Sequence, residues 1–201
     1  MARPTLPNNQ LAEAARVAQR VLDRFERGLL DVTFEGRIPG VNIAAVSDGR
    51  GHITSLSVAP ALIPLSGGPQ AVQLAEWLRQ TLQLALAAAT DHAHQVLQRK
   101  LPSLPGTQGQ HPNEISGLAK QFLSDAYTGT SAQGQVSVTI SLGQSLVPTA
   151  VTIANAFYAS AERLSLGERV REAANAALTS ARDALECAAA GLAHVLTGAA
   201  Q

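Results

Sequence analysis

The sequence predicts an α+β fold: two tandem units, each a helix, a three-stranded antiparallel sheet and a long helix, arranged as an intrachain pseudo-dimer. Three observations predict it. The stretch GVNIAAVSDGRGHITSLSV, Gly40 to Val58, is answered by GQVSVTISLGQSLVPTAVTI, Gly134 to Ile153. In both, a glycine leads into an alternating run, a glycine-bearing turn follows, and a second alternating run returns, the pattern of a hairpin. Each copy is followed by a long stretch of helical period, and the two copies are separated by LPSLPGTQGQHP, rich in proline and glycine and without acidic or basic side chains apart from His111.

The elements follow in order. Asn8 or Asn9 caps a first helix, whose Leu11, Ala14, Ala18, Val21, Leu22, Phe25 and Leu29 recur at helical spacing, with Gly28 near its end. LLDVTFEG reads as a short strand, and VNIAAVS, SDGRG and HITSLSV as strand, turn and strand. APALIPLSGGPQ is irregular, and a long helix runs from about Gln70 to Leu101 with Leu74, Trp77, Leu78, Leu82, Ala85, Leu86, Ala89, Ala93, Val96 and Leu97 on one broad face. The second unit repeats this order with a helix over Asn113 to Ala126, a strand at AYTGTS, the second hairpin, a short connection ANAFYASAERL and a helix from Ser165 to about Thr197. The predicted organisation is a first unit over 8–101, a linker over 102–112 and a second unit over 113–198.

Aligning the copies on their leading glycines places Gly40 on Gly134, Ala44 on Val138, Val46 on Ile140 and Gly49 on Gly143. With one extra residue in the second turn, Leu56 falls on Val151, Val58 on Ile153 and Leu62 on Phe157. In the last helices Ala93 matches Ala181 either directly or shifted by one turn.

Composition narrows the function. With 46% apolar residues, many of them alanine and leucine, and only four Phe, two Tyr and one Trp, the core is built from small and aliphatic side chains. Fifteen basic residues balance fifteen acidic ones, so no global charge draws nucleic acid, membrane or an acidic substrate. The first 101 residues carry a surplus of basic residues and the remainder a surplus of acidic ones. The single cysteine, Cys187, excludes an intramolecular disulfide and a cysteine metal site, fits a reducing cytosol and reads as a buried small hydrophobe. The N-terminus lacks the apolar run of a signal peptide and no segment has the ~20 apolar residues of a membrane span, so a cytoplasmic protein is expected.

No catalytic motif appears. His92 and His94 lie two apart on a helix, which sends them to nearly opposite faces and disfavours joint metal binding. No G-x-S-x-G occurs, and SGGPQ and SDGRG lack the order of a phosphate-binding loop. The expectation is a protein that is not an enzyme and holds no cofactor.

The sharpest basic feature is RVAQRVLDRFER. At roughly 100° per residue, Arg16, Arg20, Arg24 and Arg27 fall within about 80° of one another, opposite the apolar stripe. Such a ridge can follow phosphates without reading sequence. It can equally be a solvated helix face, since Glu13 and Asp23 sit beside it.

The second unit, YTGTSAQGQVSVTI with AVTI downstream and EAANAALTSARDALE in its last helix, resembles the YbaB/EbfC family of nucleoid-associated proteins. The matching residues are Thr128, Gly129, Gly134, Val136, Val138, Thr139, Ile140, Gly143, Val151 and Ile153, with Val32, Thr33, Gly40, Ala44, Val46, Gly49, Leu56, Val58 and Pro60 in the first unit. The sequence departs from the family where Ala59 precedes Pro60 and Ala154 precedes Asn155, positions at which the family often has an acidic residue before proline. Family members resemble small DNA-binding dimers, so the resemblance implies a bacterial, nucleoid-associated protein whose chain is a fused dimer. The implied partner is duplex DNA, contacted through Arg16, Arg20, Arg24 and Arg27. The alternative expectation is a duplication that has lost DNA affinity and binds a protein partner, and the chain is either a monomeric pseudo-dimer or a homodimer.

Overall fold

The computed structural model describes Leu29 and residues 31–100, 126–142 and 146–198. Strands β1 (Thr33–Arg37), β2 (Ile43–Asp48) and β3 (Ile53–Val58) form one antiparallel sheet in the order β1-β2-β3. Strands β4 (Ala126–Thr130), β5 (Val136–Leu142) and β6 (Leu146–Ile153) form a second in the order β4-β5-β6. A 3-10 turn at Pro60–Leu62 leads from the first sheet into α1 (Pro69–Lys100). Short α2 (Asn155–Tyr158) and a 3-10 turn at Ala161–Ser165 lead from the second into α3 (Leu166–Gly198). The helices expected at 8–29 and 113–126 and the linker at 102–112 lie outside the described residues, except that Leu29 is helical and Ala126 already begins β4.

The two sheets share one pairing scheme. In the first, Gly36 faces Ala45, Ile43 faces Val58 and Ala45 faces Leu56; in the second, Gly129 faces Val138, Val136 faces Ile153 and Val138 faces Val151. Both carry a bulge at the same place, between Val46 and Ser47 and between Thr139 and Ile140. The bulged residues are Thr54 and Thr149, and each hydroxyl donates to the carbonyl across from it, Val46 O at 3.1 Å and Thr139 O at 3.2 Å. A bulge inserts one residue and so resets which face the strand presents. That is why Ile53 and Leu56, three residues apart, are both buried, and why HITSLSV does not alternate strictly.

This scheme corrects the glycine-anchored alignment by one residue in the second strand of each sheet. Ala45 and Ser47, not Ala44 and Val46, correspond to Val138 and Ile140, and the former pair is the buried one. The two leading glycines are not equivalent. Gly40 (φ 78°) is the third residue after β1 and Gly134 (φ 69°) the fourth after β4, each taking the left-handed conformation within its own turn. Past the bulge, the matches of Leu56 to Val151, Val58 to Ile153 and Leu62 to Phe157 hold, with the second hairpin longer by two residues rather than one (Ser47 pairs with Ile53, Ile140 with Pro148).

The long helices cross between the sheets. Helix α1 packs on β1 and β2 of its own sheet and on β6 of the other; α3 packs on β4 and β5 and on β3. Leu74, Leu78, Leu82, Ala85, Leu86 and Ala89 of α1 are buried, as are Leu166, Val170, Ala174, Ala177, Leu178 and Ala181 of α3. These side chains follow i, i+4, i+8 spacing in both helices. Burying each leucine contributes about 1.5–3 kcal/mol, more than the ~0.7 kcal/mol span of ordinary helix propensities, so packing rather than propensity fixes the helices in place. Where α1 has Leu78 and Leu82, α3 has the smaller Val170 and Ala174. The larger Phe157 and Tyr158 stand where the first half has Leu62 and Ile63; Ile63, Phe157 and Tyr158 belong to one core cluster that spans both halves, with Leu62 packed against it.

Cys187 is exposed, contrary to expectation. It follows the buried Leu178 by about two and a half turns of α3, which puts it on the opposite side of the helix.

Candidate functional site

The arginine ridge, Arg16, Arg20, Arg24 and Arg27, lies outside the described residues. What is described is its junction with the sheet. The carbonyl of Leu29 accepts a hydrogen bond from the N–H of Gly49 in the first hairpin turn at 2.9 Å. Leu29 therefore sits against the β2–β3 turn.

Four arginines on the described surface are paired with neighbouring carboxylates. Arg37 pairs with Glu35 at 2.7 Å, Arg79 with Glu76 at 2.7 Å, Arg171 with Glu168 at 2.5 Å, and Arg169 with both Glu162 and Glu172. The Arg79 and Arg171 pairs occupy matching turns of α1 and α3. Hydrogen bonds from Arg79 and Gln80 hold the Glu76 carboxyl down to about 2, and Glu76 in turn raises Arg79. Glu172, followed by Glu162, raises Arg169, whose buried Nε has no partner. A phosphate approaching these arginines would compete with carboxylates already in place.

At the β3 edge, the side chain of Asn175 in α3 grips the backbone of the opposite half. The Ile53 N–H donates to Asn175 Oδ1 at 2.9 Å, and Asn175 Nδ2 donates to the Ile53 carbonyl at 2.9 Å, between residues 122 apart in sequence. At the matching β6 edge stands Pro148, which has no N–H to offer. There Arg79 of α1 donates Nη1 to the Pro148 carbonyl at 3.3 Å and to Gln83 Oε1 at 2.9 Å. Sequence reasoning did not find these contacts. An asparagine inside an alanine-rich helix, opposite a strand in the other half, was the available signal.

The outer sheet faces differ. The second bears Thr128, Thr130, Ser137, Thr139, Thr149 and Thr152, with the Thr128 and Thr139 hydroxyls 2.9 Å apart, whereas the first bears the Glu35–Arg37 pair beside Thr33, Thr54, Ser55 and Ser57. A cleft of about 420 Å³ opens beside the β1–β2 turn, lined by Arg37, Pro39, Val41, Asn42 and Val58 among others. The backbone donors of Val41, Ile43 and Ala59 around it are already bonded within the chain, so they offer no ready anchor for a ligand. The His92 ring lies against Phe34 with centroids 5.2 Å apart. Among the described residues there is no group of three or more metal-ligating side chains and no helix long and apolar enough to cross a membrane.

Comparison with family models, with curated proteins and with solved structures found no match.

Proposed function

We propose that the chain is a fused dimer of YbaB-like units acting as a non-enzymatic, nucleoid-associated protein. It binds duplex DNA weakly, through phosphates, with Arg16, Arg20, Arg24 and Arg27 as the contacting side chains. The observation that carries the fused-dimer part is the repetition of strand pairing, bulge position and reciprocal helix packing in two halves of one chain. A two-fold arrangement in one polypeptide is what fusion of a symmetric dimer produces.

The ridge supports the phosphate part, because four arginines on one helical face add counterion release without base readout. It belongs to one half only; the corresponding stretch of the second half, NEISGLAKQFLSDA, has a single lysine, Lys120. Changing Arg20 and Arg24 together to Glu should abolish binding and leave the helical circular dichroism intact. Unchanged affinity would reassign the contacts.

A second reading, a structural or protein-interaction module without DNA affinity, is favoured by one observation. The arginines at 37, 79, 169 and 171 are all engaged by carboxylates. A nuclease-resistant, stoichiometric protein partner together with no duplex binding at low salt would support it.

A further inference from the structure

Two copies of one unit joined in a chain face a choice of pairing: first half with second, or like with like between chains. The two β-edges described above are built differently, and the difference bears on that choice. At one edge the strand offers Ile53, with both an N–H and a carbonyl, and the helix opposite offers Asn175, an acceptor and a donor at the same reach. At the other edge the strand offers Pro148, a carbonyl only, and the helix opposite offers Arg79, a donor only. Gln83, which stands where α3 has Asn175, is turned along its own helix to accept from Arg79.

We infer that Asn175 with Ile53 and Arg79 with Pro148 form a pairing code that selects the heterotypic union of the two halves over either homotypic one. Pairing two second halves would set Asn175 against Pro148, leaving Oδ1 without a donor. Pairing two first halves would set Ile53 against Arg79 and Gln83. The guanidinium cannot accept a hydrogen bond and Gln83 Oε1 is turned along its own helix toward Arg79 rather than toward the strand, so in this arrangement the N–H of a fully buried residue would lose its acceptor. A buried backbone group without a partner costs more than an ordinary hydrogen bond contributes, so the mismatch at Ile53 acts against pairing two first halves, while pairing two second halves forgoes the bond that half-buried Asn175 makes in the heterotypic union. The code makes this interface one that a second copy of the chain enters only by exchanging unlike halves. The inference rests on the reading of the chain as two joined copies of one unit.

The test starts from the full chain with a specific protease site placed within residues 102–112. The folded protein is cut there, unfolded in urea, renatured, and its pairs are counted by native mass spectrometry, since the two halves differ in mass. Heterotypic pairs should exceed each homotypic pair at least about tenfold, where statistical mixing gives about twofold. In Pro148→Ala, which restores an N–H opposite Asn175, pairs of two second halves should rise several-fold, and the first halves so released should appear mainly unpaired rather than paired with one another. A purely structural role for Pro148 would weaken both kinds of pair that contain a second half, the heterotypic one and the pair of two second halves. Statistical mixing in the unaltered sequence, or a Pro148→Ala ratio that does not move, would overturn the inference. Halves that fail to rejoin at all, when the uncut chain renatures, would overturn the two-unit reading beneath it.

Discussion

Gly36 in β1 lies so close to α1 that a Cβ there would stand 2.2 Å from the carbonyl oxygen of Thr81 and 2.6 Å from the amide nitrogen of Ala85. Gly129 in β4 stands the same way against α3, with a Cβ 2.2 Å from both Ala173 O and Ala177 N. These contacts fix the helix correspondence that sequence left open: Thr81 with Ala173 and Ala85 with Ala177, which puts Ala89, one turn before Ala93, on Ala181. Strand and helix backbones touch, with no side chain between them.

Alanine at either glycine should push β1 or β4 away from its helix. Overpacking of this kind costs about 1–3 kcal/mol, and the obstructing atoms are backbone, which cannot rotate aside. Gly36→Ala and Gly129→Ala should each lower the thermal midpoint by several degrees, to similar extents, in a calorimetric scan. A loss at one site only would mean that the two halves do not use equivalent packing.

The face assignment in β2 predicts a contrast between neighbours. Ala45 is fully buried and Ala44 only partly, so Ala45→Glu should cost about 3–5 kcal/mol as an uncompensated buried charge, and Ala44→Glu far less. Urea denaturation of the two variants measures the difference. The opposite order would restore the glycine-anchored alignment.

Glu76 gives the protein a small acid sensitivity. Its folded pKa, about 2, lies below the ordinary 4.5, so its contribution is fully present above 4.5 and is lost as pH falls from there toward 2. Because the pair with Arg79 is partly solvent-exposed, the contribution is under about 1 kcal/mol. Glu76→Gln should flatten stability across that window and leave neutral stability little changed, measured by chemical denaturation at several pH values.

The order of elements was legible in the sequence because long helices with apolar residues at i and i+4, and hairpins marked by glycine turns, leave strong periodic signals. Register was not. In VNIAAVS apolar residues occupy both parities, Val41, Ile43 and Ala45 on one and Ala44 and Val46 on the other, so period two alone cannot say which set faces the core. The bulges at Thr54 and Thr149 were hidden for a related reason, since threonine suits a strand whether paired or bulged. The cross-half grip of Asn175 on Ile53 depends on tertiary placement of α3 over a sheet formed 122 residues away, which no local pattern encodes. The candidate arginine ridge was found by helical spacing alone, and it is the part of the functional account that solution measurements must carry.

Fluorescence anisotropy of a labelled ~30 base-pair duplex, titrated with the full chain at low salt and again near physiological salt, tests the proposed function most directly. Four phosphate contacts predict an affinity that falls with salt at a log–log slope of about −3.6, so binding seen at low salt should weaken steeply. Absence of binding at low salt, or binding indifferent to salt, would contradict the DNA reading and leave the protein-interaction module in its place.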